Sequence, residues 1–446
     1  MEEILGMFEQ MCATLQNKKS YQKERRLIYE GKYTASTLNF ALPKKLERKL
    51  VTYLGWPKTA VDTLHHDLRF DGFKNDSLGF TRLLSESGGY EAIDAAVKNS
   101  MIGACSLISV LPGEDGKPFF TVFSGAEATG LYDSRKGMVA GLTINSYSTT
   151  FGQKFIKDYL LFTPGTIYKI AAESREVIEA YEVPTQKMLL IPFIYDQDVA
   201  VKPFGSSRIN DPAINALESA LRTLKLIEFG HDLRVAIRNI LLADGVDPDD
   251  LAKSEQNPSM TSLLTIFNSS STGTLKLEQL LAPDTKELQD QLGLLASNFG
   301  NAVSMAASSF GYQPANGSFG AKAIEEQAKA YNDLVKIQKR SYGESIKALA
   351  IAAMSLATGQ FYEEWEAIIP VFEEVISNSE FGAVADGLQK LAILAPGIDF
   401  SEFIERKVLG KTVKEEALKT PLPDFSLALA QAESFASRRE ISTEAM

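Results

Sequence analysis

The chain has 446 residues, of which 45% are hydrophobic and 23% are charged, and its formal net charge is −11. This length is too great for one hydrophobic core and favours two to three domains. The acidic balance argues against a surface that grips nucleic acid by neutralising phosphates, but it leaves open a surface that nucleic acid only passes.

Targeting and redox signals are weak. Cys12 and Cys105 are too few for a disulfide framework, which favours a reducing compartment. The start MEEILGMFEQ is acidic and lacks the basic region of a signal peptide. The longest apolar helical run, ALAIAAMSLA at 348–357, is too short to span a bilayer. We therefore expect a soluble protein, cytoplasmic when made, with no membrane partner.

The first half of the chain mixes helices and strands. Residues 1–60 are predicted to be mainly helical, with breaks at GKY (31–33) and GWP (55–57). Between about 61 and 205, short apolar runs alternate with turn signals, which indicates hairpins together with a helix at 91–102. The predicted strands are CSLISVL (105–111), PFFTVFSG (118–125), MVAGLTINSY (138–147), DYLLFT (158–163), TIYKIAA (166–172) and KMLLIPFIY (187–195).

Asp211-Pro212 begins a predicted helix, because Asp is a good N-cap and Pro suits the first helical position. The apolar residues that follow at spacings of three and four are Ile214, Leu217, Leu221, Leu224 and Ile227. A compact insert is predicted at about 239–283, with turns around LLTIF (263–267) and TLKLEQLL (274–281). A second helix, capped by Asp284 or Thr285, is predicted to run to about Ser309.

A flexible loop is predicted at GYQPANGSFGAKA (311–323), since glycine tolerates positive φ and proline removes a backbone donor. The strongest helical pattern follows at 321–358. Its apolar face holds Ile324, Ala328, Tyr331, Val335, Tyr342, Ile346 and Leu349, and its opposite face holds Lys322, Lys329, Lys336, Arg340 and Lys347. The simplest interpretation of the basic face is a solvated surface. Residues 360–446 are predicted to be mostly helical, including 361–376 and 381–394.

No motif for catalysis or metal binding is present. The histidines His65, His66 and His231 are too few and wrongly spaced, and the sequence has no HExxH, CxxC or Gly-x-Ser-x-Gly pattern. Adjacent helical residues point in different directions, so His65-His66 favours a surface or hydrogen-bonded role. The glycines of the loop have the wrong spacing for a phosphate cradle. We expect no catalytic residue, no metal and no cofactor.

Several stretches, in a fixed order across roughly residues 20–410, resemble the portal (head-to-tail connector) proteins of tailed bacteriophages. AVDTLHHDLRFDGF (60–73) is similar to the pattern VDxLxxRLxxxGF, with His66 or Asp67 where a basic residue is usual. Residues 95–144 resemble the portal wing, and PFGSSRIN (203–210) matches the Pro-x-Gly-x-Ser-x-Ile that precedes the first stem helix. Residues 317–346 resemble the start of the long wing helix, although ANGSFGAKA departs from the usual Asn-Pro before Ser-x-x-Ala.

The resemblance implies a fold and a domain order. The fold would be α+β and mainly helical, as in a portal-type ring subunit. The implied segments are an N-terminal α/β wing (1–205), a first stem helix (206–238), a small α/β clip insert (239–283), a second stem helix (284–309), a tunnel loop (310–320), a long wing helix (321–358) and a helical crown or C-terminal region (359–446).

The implied function is a ring, a dodecamer by resemblance, at one capsid vertex of a virion assembled in the host cytoplasm. It would conduct double-stranded DNA during packaging and ejection and would contact the terminase large subunit, the head-tail adaptor, and the major capsid and scaffolding proteins. The residues implied at the channel are Gly311, Gln313, Asn316, Gly317, Ser318, Gly320 and Lys322, with a basic helix stripe of Lys329, Lys336 and Arg340. The alternatives are another oligomeric virion or scaffold protein without a DNA channel, or an enzyme of unknown type.

The loop generates a first prediction. Replacing Gly317 and Gly320 by Ala restricts the positive-φ conformations open to the loop without touching a core. We expect rings to assemble normally and the DNA packaged or retained per particle to fall. Added Lys or Arg in the loop is expected to slow translocation in a way that salt relieves. Failure of the glycine variant to form rings would favour an ordinary core loop instead.

Overall fold

The computed structural model describes most of the chain. The described residues are 2–33, 53–74, 76–113, 116–133, 135–150, 153–235, 239–244, 263–268, 275–279, 286–312 and 321–373, and of 229–235, 239–244, 263–268, 275–279 and 321–325 only the backbone is described. The chain divides into two compact units. Unit 1 comprises Met1–Gly31, Pro57–Asn210 and Ala328–Met446, and unit 2 comprises Lys32–Trp56 and Asp211–Gln327.

A five-stranded antiparallel sheet, in the order β4-β5-β6-β7-β8, forms one part of unit 1. Its strands are β4 (Ala128–Asp133), β5 (Gly137–Thr150), β6 (Gln153–Thr163), β7 (Thr166–Ala171) and β8 (Val177–Glu182). The first helix, α1 (Glu2–Tyr29), lies against one face of this sheet. Phe8, Met11 and Leu15 pack there against Leu142 and Leu161, all of them buried. This burial of apolar surface fixes the helix on the sheet.

A second antiparallel sheet of unit 1 has the order β3-β2-β9. Its strands are β2 (Cys105–Pro112), β3 (Pro118–Ser124) and β9 (Leu190–Ile194). Among the described residues, three helices lie between α1 and β2 in the chain, α2 (Trp56–His66), α3 (Phe80–Glu86) and α4 (Gly89–Gly103), and α4 packs on β2 and β3. Six of the eight residues of β2, Cys105 to Val110, are buried, as expected for the central strand of this sheet.

The segment PFGSSRIN (203–210) forms a buried polar junction in unit 1. The Arg208 side chain has only 2% exposure. Its Nε donates to the Ala60 carbonyl at 2.7 Å and its Nη1 donates to the Tyr195 hydroxyl at 2.9 Å. The Ser207 hydroxyl donates to the Ile102 carbonyl at 2.7 Å. The matched motif therefore has a structural role, since it joins α2, the end of α4 and the chain that leaves β9.

Unit 2 contains a pair of helices with a small sheet between them in sequence. The helices are α5 (Asp211–Val235) and α6 (Lys286–Ala302), which pack against each other. Between them lie β10 (Asn239–Asp244), β11 (Leu263–Asn268) and β12 (Leu275–Gln279), in the order β11-β10-β12. β10 is parallel to β11 and antiparallel to β12. A short 3-10 helix (Ala307–Phe310) follows, and then α7 (Ala321–Thr358), whose residues from Ala328 onward belong to unit 1.

The mixed α+β class is confirmed, and so are all six predicted strands of the first half and the helix predicted at 321–358. The helix predicted at 361–376 is wrong for its described part. Residues Glu363–Ala367 form a 3-10 helix, and β13 (Ile369–Phe372) pairs antiparallel with β1 (Phe70–Lys74). Pro370 lacks the donor that a helix interior needs, whereas the β1 edge offers partners to this segment. The described residues include no helix with the length and apolar character needed to cross a membrane.

The Arg208 junction yields a second prediction. Arg208→Met keeps an unbranched stem but removes the guanidinium, so the Ala60 carbonyl and the Tyr195 hydroxyl lose this donor. We expect a loss of about 3 kcal/mol in the free energy of unfolding, measured as a lower midpoint in urea denaturation followed by circular dichroism. The matched control is Arg135→Met, since Arg135 is exposed. Equal midpoints for the two variants would contradict a stabilising role for Arg208.

Candidate functional site

The candidate site is the segment that links α6 to α7. The sequence predicts α6 to run to Ser309, but the helix ends at Ala302. Ser304 adopts a positive φ of 56°, and the Met305 amide turns back to donate to the Gly300 carbonyl at 2.8 Å. A Cβ on Gly300 would lie 2.5 Å from the Met305 carbonyl oxygen. Gly300, which has no side chain, therefore allows the chain to fold back closely against the end of α6.

A cluster of four aromatic rings holds the start of the loop within unit 2. Trp56, only 4% exposed, lies with its ring centroid 5.5 Å from that of Phe299 and 6.1 Å from that of Phe310. The Tyr312 ring meets it edge-on at 5.8 Å. Burial raises the pKa of Tyr312. The first residues of the predicted loop are thus anchored by packing, which the composition of the loop did not suggest.

The structure places the predicted channel residues unevenly. Gly311 caps the 3-10 helix in the left-handed region, with a φ of 83°, and its amide donates to the Ser308 carbonyl at 3.1 Å. Lys322 lies in the first turn of α7, where only the backbone is described. The other predicted residues, Gln313, Asn316, Gly317, Ser318 and Gly320, lie outside the described residues.

The basic stripe on α7 is exposed but not purely basic. Lys329, Lys336 and Arg340 are all exposed. However, Asp333 lies on the same face, and its carboxylate is 3.6 Å from the Lys336 ammonium. Ile337, beside Lys336, has 63% exposure. The stripe therefore carries a smaller local positive charge than a count of its cations implies.

Lys347, the last cation of the predicted basic face, is half-buried. Its ammonium group donates a hydrogen bond to the Glu366 carbonyl.

The opposite face of α7 enters the core of unit 1. The Tyr342 hydroxyl lies 2.7 Å from Ser100 Oγ, and its ring stacks on Phe193. The predicted apolar face is buried at Tyr342, Ile346 and Leu349, whereas Tyr331 and Val335 are half-buried and Ala328 is exposed.

Tyr331 makes a hydrogen bond that the sequence did not reveal. Its hydroxyl donates to Asp67 Oδ2 at 2.7 Å. Burial, together with this hydrogen bond, raises the pKa of Tyr331. Asp67 lies in the segment AVDTLHHDLRFDGF (60–73), where His66 or Asp67 takes the place of the basic residue that is usual in the resembling motif. The hydrogen bond ties residues 60–73 to the long helix α7.

The two adjacent histidines point to different surroundings, as predicted. His65 Nε2 lies 3.0 Å from Asp94 Oδ1, and this hydrogen bond holds the pKa of Asp94 below its usual value. The His66 side chain is 65% exposed. A groove of about 480 Å³ passes His65 and Asp94 and is also lined by Arg69 and Tyr90. The His65–Asp94 pair thus links α2 to α4.

The two cysteines are free thiols in unit 1. Cys12 is half-buried and Cys105 is buried. Burial raises the pKa of Cys12 to about 11 and also raises that of Cys105. Both thiols are therefore protonated near neutral pH, where the thiolate is the reactive form. Within the part of the chain that the structure describes, no group of three or more His, Cys, Asp or Glu side chains is placed to hold a metal ion.

Comparison with known proteins gives structural likenesses only. No protein-family model matches the chain, and no curated protein matches it. A chain of the virion of a native gene transfer agent (GTA) particle is 12% identical, with a TM-score of 0.44 over 86% of this chain and 98% of that chain. A chain from the neck of the empty GTA particle, computed with C6 symmetry, is also 12% identical, with a TM-score of 0.48 over 85% of this chain and 97% of that chain.

A third likeness is to a chain from the neck of the native GTA particle, computed with C12 symmetry. It is 12% identical, with a TM-score of 0.43 over 90% of this chain and 99% of that chain. At these scores and this identity, the three likenesses assign neither a family nor a function to this chain.

The anchored start of the loop yields a third prediction. Gly311→Ala meets no atom within 4 Å but must hold a φ of 83°, so we expect a loss of about 1 kcal/mol in the free energy of unfolding. The matched control is Gly293→Ala in α6, which also meets nothing within 4 Å. Because Gly293 is helical, that change should stabilise the protein by about 0.5 to 1 kcal/mol. Urea midpoints that shift in the same direction would contradict this account of Gly311.

Proposed function

We propose that this chain is a portal protein, the subunit of a ring at one vertex of a tailed-phage-type capsid. The ring conducts double-stranded DNA during packaging and ejection and has no catalytic activity of its own. The observation that carries the proposal is the order of elements after Asp211: α5, a three-stranded insert, α6, an anchored loop start and the 38-residue α7. This is the order of stem helix, clip, stem helix, tunnel loop and wing helix that the sequence resemblance implies.

The insert supplies two open strand edges to the proposed assembly. In the part of the chain that the structure describes, β11 and β12 each pair only with β10. A small sheet with two unpaired edges buries little surface by itself, and the free backbone groups of those edges favour pairing with another strand. We propose that these edges pair with neighbouring subunits and that the completed clip ring binds the terminase large subunit and later the head-tail adaptor.

The charge distribution suits a conduit better than a tight DNA-binding surface. Each phosphate that a Lys or Arg neutralises adds a salt-dependent grip, which would slow translocation. A net charge of −11 and the acid within the α7 stripe keep such contacts few. In this proposal the loop residues line the channel, Lys329, Lys336 and Arg340 make weak contacts at most, and the remaining surface meets the major capsid and scaffolding proteins in the virion.

The fourth prediction tests the ring. Native mass spectrometry of the purified chain, at high protein concentration and virion-like salt, is expected to show a closed homo-oligomer, a dodecamer by resemblance. Negative-stain images of the same sample should show rings with a central hole. A stable monomer under all these conditions would favour an enzyme of unknown type. A closed particle without a central hole would favour another oligomeric virion or scaffold protein.

A further inference from the structure

The hairpin of β5 and β6 extends beyond the sheet to which it belongs. The two strands pair with each other from Gly141↔Phe162 out to Thr150↔Gln153. By contrast, β4 pairs with β5 only as far as Thr143, and β7 pairs with β6 only as far as Asp158. We call the outer segments of the two strands, 145–150 and 153–157, the arm. Among the described residues no third strand flanks the arm, and a two-stranded hairpin alone is marginal in water.

A bulge and two hydrogen bonds to a buried carboxylate determine the direction of the arm at its base. The β5–β6 register shifts on both sides of Ser146, so a bulge lies at this point. Asp158, only 4% exposed, accepts hydrogen bonds from Asn145 Nδ2 and from Ser146 Oγ, both at 2.8 Å. Bulges bend and re-aim the strand that carries them. Because a buried carboxylate needs its donors, this pair of bonds holds the bend in place.

The surface of the arm is basic and partly apolar. Tyr147 has 48% exposure and Phe155 has 51%. Lys154 and Lys157 are exposed, and the described arm carries no acidic residue. Exposed aromatic rings beside open strand edges form a surface that favours contact with another polypeptide.

The far edge of the same sheet has the complementary character. In the described chain β8 pairs only with β7, so its outer edge has no partner there. Glu176, immediately before the strand, and Glu182 at its end are exposed, and Ile178 between them has 51% exposure. Natural edge strands are usually protected from pairing. Here the apolar side chain of Ile178 is exposed to solvent between two carboxylates.

We propose that the arm of one copy of this chain adds to the outer edge of β8 of the next copy. Main-chain hydrogen bonds would supply pairing of the two open edges, as in other cases of strand addition. Lys154 and Lys157 would bring positive charge to an edge that carries Glu176 and Glu182, and Phe155 would lie against Ile178. The arm and β8 are different surfaces of one chain, so the contact is heterologous and can close a ring. This inference rests on the proposed ring, for which it names one subunit contact.

Charge reversal tests the contact. K154E/K157E and E176K/E182K are each expected to raise the protein concentration for half-maximal assembly at least about tenfold, because like charges then face each other. Mixing the two variants restores assembly, since each arm then meets an opposite edge, and so does the fourfold variant that carries both changes. The matched control K19E/K23E alters two exposed lysines of α1 and leaves assembly unchanged. Unaltered circular dichroism spectra confirm that the variants fold.

A cross-linking experiment identifies the occupant of β8. Chains with Gln153→Cys and chains with Glu182→Cys, distinguished by tags of different mass, are mixed and treated with a short bis-maleimide, and the unmodified chain gives the background from Cys12. The proposal expects products that carry both tags. Absence of mixed products above the Cys12 background would mean that the arm of one copy does not lie at β8 of another copy, and the proposal would be wrong.

The arm proposal and the ring proposal fail separately. If the unmodified chain forms rings and both charge-reversed variants form them at the same concentration, the arm proposal is overturned and the ring remains. If the unmodified chain forms open strings or pairs that the charge swap disrupts and restores, the arm contact stands and the ring is overturned.

Discussion

A guanidinium group buried in unit 1 constrains much of the surrounding structure. The Arg208 guanidinium carries several N–H donors and no acceptor, so each buried donor needs an acceptor inside the protein. Ala60 in α2 and Tyr195 after β9 supply two of them. The neighbouring Ser207 engages the last turn of α4. A large movement of α2 or of the chain after β9 would remove an acceptor from a buried donor of Arg208, which costs about 1–3 kcal/mol or more, so these segments hold one arrangement together.

The sequence predicts those elements of the fold that have a strong periodic or apolar pattern. The helix at 321–358 and the strand at 105–111 are clear because their hydrophobic residues follow one period over a long enough run. The strands β1, β4 and β8 are not predicted, since FDGFK and ATGLYD contain glycine and aspartate and VIEAYE alternates with acids. Their pairing partners determine them, and partners are not visible in a local pattern.

The candidate site could be predicted only in part. The position of the loop follows from its composition, but its aromatic anchor joins Trp56 to residues more than two hundred positions away, which no local spacing reveals. The sequence could have shown that Asp333 lowers the net positive charge of the basic stripe, because residues three apart on a helix are neighbours. By contrast, nothing in the sequence indicated that Asp158 would be buried at a bulge.

The unequal lengths of neighbouring strands have a consequence for the order of assembly. If an arm and an acidic edge are consumed together at each contact, an open string of any length always displays one unused arm and one unused edge. Only closure of the ring leaves no arm and no edge unpaired, so the final contact would stabilise the assembly more than any earlier contact. An incomplete string could therefore bind a further subunit only at its two ends. Copy number would then be decided by the angle between successive subunits, to which the bend of the arm at the Ser146 bulge would contribute.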